Sequence, residues 1–68
     1  MSTFTLYVQD ARYNAPTLHF LLCDGEEEAR RRALNYLADS HHHLGAEVFL
    51  EGERVIALSR ADLMAAGK

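Results

Sequence analysis

The spacing of hydrophobic and polar positions changes character along the chain. In residues 3–10, Thr-Phe-Thr-Leu-Tyr-Val-Gln-Asp, the residues Phe4, Leu6 and Val8 alternate with Thr3, Thr5, Tyr7 and Gln9. Period two, with aromatic and β-branched residues, is the pattern of a half-buried strand. Asn14 and Pro16 then punctuate "ARYNAP", which reads as a loop or wide turn. "TLHFLLC", residues 17–23, alternates again, with Leu18, Phe20 and Leu22 on one side and His19, Leu21 and Cys23 on the other. These two strands are expected to pair antiparallel.

From Asp24 the period becomes helical. Asp24 is a good N-cap and Glu27 follows three residues later, an approximate capping box. Glu26, Glu27 and Glu28 occupy the first turn, where the helix dipole favours acids. Each lies four residues before Arg30, Arg31 or Arg32, the favourable orientation, at about 0.2–0.5 kcal/mol per pair. "EEEARRR" therefore reads as a helix whose arginines have local partners, rather than as a basic functional patch. Ala29, Ala33, Tyr36, Leu37 and Leu44 share one helical side with Leu34 at its border, the side expected to face the sheet. Arg30 falls near the same arc, its stem covering apolar surface and its head in water.

"AEVFLEGERVIALS" supplies two more strands joined at Gly52, with "EGE" as the tight turn. Ser59, with Asp62 three positions on, opens a short terminal helix in "RADLMAAGK". The expectation is an α+β fold, one domain over 1–68. Its order is ββαββ: a four-stranded, mainly antiparallel sheet with one long helix packed on one face and a short C-terminal helical turn.

Composition narrows the function classes. With 68 residues, 49% of them hydrophobic and 25% charged, the chain matches an ordinary globular domain. No apolar run is long enough to cross a bilayer, and the first ten residues lack the basic-then-apolar pattern of a signal peptide. One cysteine cannot form an internal disulfide, so a cytoplasmic protein is expected. A formal net charge of −3 argues against nucleic acid as a partner. A single core of this size seldom supplies more than about 3–5 kcal/mol, which makes association with another chain an expectation from energetics.

Three consecutive histidines, His41, His42 and His43, raise the question of a metal site. Successive helical positions diverge by about 100°, so three in a row cannot converge on one ion while the helix persists. His19 and Cys23 share a strand face but lie about 13 Å apart, too far to ligate one zinc. The "SHHHLG" stretch reads better as a helix terminus: Gly45 closes the helix in the left-handed conformation, and the histidines donate to free carbonyls at the negative end of the dipole. Metal binding is expected to be adventitious only, with no cofactor. Ser59 and Cys23 lack partners at catalytic spacing, and the four scattered glycines form no phosphate-binding loop, so a non-enzyme is expected.

One feature exceeds what a single helix can cover. The sheet face opposite the core is expected to carry Tyr7, Leu21 and Phe49. Either Ile56 with Leu58 or Val55 with Ala57 would join them, depending on the length of the "EGE" turn. A contiguous apolar set on one sheet face suggests an interface, unless the segment around Leu63 and Met64 folds over it.

The stretches "FTLYVQD", "DGEEEARRRALNYL" and "EVFLEGERVIAL" resemble a group of very short bacterial proteins. Those have a "YxLYFLD"-type first strand, an acidic-capped helix and a closing hairpin of the "ELWxGDRLV" kind. Phe49 stands where that hairpin carries tryptophan. The resemblance implies the ββαββ fold and nothing more.

The function expected from the sequence is a small protein-interaction module, homodimeric through a sheet face or edge, with Tyr7, Leu21, Phe49 and Ile56 in the contact. A small inhibitor or antitoxin-like protein that blocks an unlike partner is the alternative. A weak histidine-dependent metal binder is the third.

Overall fold

The structure, a computed structural model, describes residues 1–66; Gly67 and Lys68, the end of the expected terminal helix, lie outside the described residues. Strands β1 (Ser2–Asp10) and β2 (Thr17–Cys23) precede helix α1 (Glu26–Ala38). Strands β3 (His43–Leu50) and β4 (Glu53–Ser59) and a short helix α2 (Arg60–Ala66) follow. The sheet order is β2-β1-β3-β4, with every neighbouring pair antiparallel. The expected ββαββ order and the helix-covered sheet are both present. Since β1 is antiparallel to both β2 and β3, α1 joins two parallel strands with β1 lying between them.

Alternation in β1 works as expected. Phe4, Leu6 and Val8 are fully buried beneath α1, whose Ala29, Ala33 and Leu37 complete the core with Val48 and Ala46 of β3. The small alanines let the helix lie close to the sheet, and Leu37 fills the space near its end.

The ends of α1 differ from expectation. Gly25, not Asp24, is the N-cap, and no side chain caps the first turn. Instead the Asp24 backbone N–H donates to Glu28 Oε1 at 2.8 Å, half of a capping box shifted by one residue. Glu28 also faces Arg32 at 3.4 Å and Arg31 at 3.7 Å. Among the described residues, Glu26 and Glu27 make no ion pair.

At the other end α1 stops at Ala38, six residues before Leu44. Its free carbonyls are satisfied from elsewhere. Nη1 of Arg60, at the start of α2, donates to the carbonyls of His43 at 2.8 Å and of Leu37 and Ser40 at 3.2 Å each. A guanidinium at the negative end of a helix is favourable both as donor and as charge. This contact also sets α2 beside α1, and Leu63 packs against the core there.

The β3–β4 hairpin turns on Glu51 and Gly52, with φ of 53° and 83°. Two consecutive positive φ values define the tight hairpin turn suited to strand twist, and glycine takes the second without strain. A β-bulge follows at once: Phe49 pairs with Arg54 but Val48 pairs with Ile56, leaving Val55 extra.

Gly45 lies inside β3, opposite Ser59, and does not close a helix. Its need is space, since a Cβ there would sit 2.9 Å from the backbone oxygen of Leu58. Gly45→Ala is expected to force β3 and β4 apart locally and to destabilise by about 1–3 kcal/mol, read from the urea midpoint. An unchanged midpoint would show that the strands accommodate the methyl freely.

Candidate interaction surface

Cross-strand partners share a sheet face, so register decides what each face carries. Tyr7 pairs with Leu18, Thr5 with Phe20 and Thr3 with Leu22. Leu18, Phe20 and Leu22 thus join Tyr7 on the side away from α1, where they are 49%, 69% and 54% exposed. On β3, Phe49 pairs with Thr5 and Glu47 with Tyr7, which adds both to this open face. The Tyr7 and Phe49 rings meet edge to face at 5.4 Å and are only partly exposed. Arg54 Nη1 donates to Glu47 Oε2 at 2.9 Å, a solvent-facing ion pair at the margin.

Of the four contact residues expected from the sequence, Tyr7 and Phe49 come together on this face and the other two do not. Leu21 is 3% exposed and lies under α1 with Cys23. The register Phe4 to Leu21 puts it on the core side of β2. Ile56 is also on the α1 side, opposite Val48, because the bulge at Val55 slips the register by one residue and inverts the faces. Leu58 is buried on the same side, and Ile56 is partly buried against the core. The residues the sequence missed are Leu18, Phe20 and Leu22. Segment α2 leaves the open face alone: Leu63 sits on the core side and Met64 is exposed.

The histidines separate. His41 and His42 stack with ring centroids 4.1 Å apart at the α1–β3 connection. His43 opens β3 and turns inward because a second bulge makes Leu44 the extra residue between Gln9–Gly45 and Asp10–His43. Its Nδ1–H donates to the Tyr36 carbonyl at 2.6 Å, and Nε2 lies 3.5 Å from Asp10 Oδ2. One histidine therefore does satisfy a carbonyl of the last turn, from a strand rather than from the helix. Among the described residues, no three His, Cys, Asp or Glu side chains are grouped to hold a metal ion.

Among the described residues Asp10 is the buried acid, its side chain 1% exposed. It accepts from Arg12 Nη2 at 2.7 Å, Arg12 Nε at 3.0 Å and the Arg12 backbone N–H at 2.9 Å. The Arg12 side chain holds this carboxyl well below the usual carboxylate range, against the opposing pull of burial; the Arg12 N–H and the charges of Arg12 and His43 add to the effect. Asp10 and His43 have all their polar atoms turned to these structural contacts. Among the described residues, no buried side-chain N or O lacks a partner. Burial also raises the Cys23 thiol above its ordinary value, which disfavours the reactive thiolate.

Among the described residues, no helix is long and apolar enough to cross a membrane. Compared with family models, with curated proteins and with solved structures, the chain shows no significant match.

Proposed function

We propose that this chain is a self-associating protein-interaction module whose contact surface is the apolar strip of β2 on the open side of the sheet. The carrying observation is the exposure of Leu18, Phe20 and Leu22 in a row, beside Tyr7 and Phe49, with no element among the described residues laid over them. Three large apolar side chains in register on one strand form a patch of the kind that marks an interface. Electrostatics favour a second copy. The acids Glu26, Glu27 and Glu28 sit on α1, on the other side, whereas the open face carries one Glu47–Arg54 pair that cancels locally. The β2 strips of two copies therefore meet without like charges opposed.

Phe20→Asp tests this. Phe20 is mostly exposed, so the change is expected to move the stability of a single folded copy by no more than about 0.5 kcal/mol. A carboxylate at the centre of the contact is expected to abolish the dimer. Sedimentation velocity should show a dimer for the unaltered chain and a folded monomer for the variant. A dimer that survives Phe20→Asp would remove β2 from the interface. A monomeric unaltered chain would leave the strip for an unlike partner, as in the inhibitor reading.

A further inference from the structure

Resting on the self-association reading, the geometry points to its form: we infer that two copies join edge to edge. Strand β2 of one pairs antiparallel with β2 of the other about a two-fold axis at Phe20, giving one eight-stranded sheet with both α1 helices on the same side.

Three observations favour an edge over stacked faces. First, the row of exposed apolar side chains, Leu18, Phe20 and Leu22, lies on an edge strand, not at the middle of the face. The inner strands present Thr3, Thr5, Gln9 and Glu47 on that side, with Tyr7 and Phe49 already partly covered by each other. Stacked faces would press Gln9 and Glu47 against the partner and leave the β2 strip at the margin. Second, the two edges of the sheet are unlike. Edge strand β4 carries Glu53 and Arg54, is bulged at Val55 and runs directly into α2. Charges and bulges are devices that keep an edge from pairing. Edge strand β2 has neither charge nor proline, and runs through seven consecutive pairs with β1 without a bulge. Among the described residues it pairs only with β1, which leaves its outer backbone groups to form a second ladder.

Third, β2 is complementary to itself. With the axis at Phe20, Leu18 meets Leu22 of the second copy and Phe20 meets its counterpart, all on the open side. On the α1 side His19 meets Leu21, and at the ends Thr17 meets Cys23. Apolar and aromatic side chains directly opposite each other across strands are a stabilising arrangement, and no like charges are opposed.

Cysteine cross-linking under a mild oxidant tests the arrangement. Directly opposite residues on antiparallel strands have Cα atoms about 4.5–5.5 Å apart, inside the range of about 4.4–6.8 Å that a disulfide spans. Phe20→Cys subunits are expected to link at least about tenfold faster than Thr5→Cys subunits, whose new thiols lie on β1, one strand further from the joint. The native Cys23 is buried and does not compete. Because Phe20→Cys removes a large contact side chain, an equal mixture of isotope-labelled and unlabelled unaltered chain supplies an independent reading by NMR. Backbone contacts between Leu18 of one copy and Leu22 of the other are expected.

Faster linking at Thr5, or a dimer that lacks those Leu18–Leu22 contacts, would overturn edge pairing while leaving self-association intact. Fast linking at Leu18 or Leu22 instead of Phe20 would overturn the register. A solution mass of one chain would remove both the edge pairing and the reading beneath it.

Discussion

Leu37→Ala is expected to leave a large share of the protein unfolded at neutral pH. Leu37 is fully buried in the last turns of α1, where it closes the core against the sheet beside Ala33 and Val48. Truncating a buried leucine costs about 2–5 kcal/mol, because the lost burial is compounded by a cavity that the neighbours fill only in part. A core this small seldom supplies more than about 3–5 kcal/mol in total. The variant should therefore show a marked loss of helical circular dichroism at 25 °C, and a urea transition moved to far lower denaturant. A transition within experimental error of the parent would show that α1 is not held at this point.

Asp10→Asn is expected to destabilise the fold and to flatten its acid response. Asp10 ties β1 to the following loop through Arg12 and faces His43 of β3. In the folded chain its carboxyl titrates well below the value of about 3.9 for an unfolded aspartate. The unfolded state therefore takes up the proton first as pH falls. The stabilisation is complete above the unfolded value and drains away below it, toward the folded one. Two other carboxyls behave in the same sense. The Asp24 N–H holds Glu28 low, and the N–H and hydroxyl of Ser59 hold Asp62 low. Denaturant titrations from pH 6 to pH 2 should show a steep acid limb for the parent and a shallower one for Asp10→Asn, with the remainder due to Glu28 and Asp62. Parallel limbs would mean that the Arg12 contact contributes nothing in solution.

Strand β1, the β3–β4 turn and the overall order were legible because each rests on local pattern: strict alternation, a Glu-Gly turn, acids before arginines. The faces of β2 were not. "TLHFLLC" places apolar residues on both sides, and only the pairing of Tyr7 with Leu18 decides that Leu21 goes under the helix and Phe20 into solvent. Ile56 was lost to the bulge at Val55, since one inserted residue inverts every later side chain. The end of α1 was obscured because Leu44 continues the helical stripe, although pairing of Asp10 with His43 starts a strand there. That distant pairing outweighs the local period. Asp10 itself could have been found: it extends the series Phe4, Leu6, Val8 by one step and so belongs to the buried side. An acid in that position needs partners, and Arg12 two residues on was the nearest candidate.

The shift from Leu21 and Ile56 to Leu18, Phe20 and Leu22 changes the contact surface more than it changes the proposed role. With Leu21 inside, the open face holds a longer continuous apolar row on a strand that ends the sheet. Such an edge invites pairing unless something blocks it.

The most direct measurement is the solution mass of the unaltered chain by light scattering over a dilution series, at neutral pH and moderate salt. Twice the chain mass is expected at high concentration, falling toward one chain only on dilution, with Phe20→Asp at one chain throughout. A single-chain mass for the unaltered protein at every concentration would contradict it.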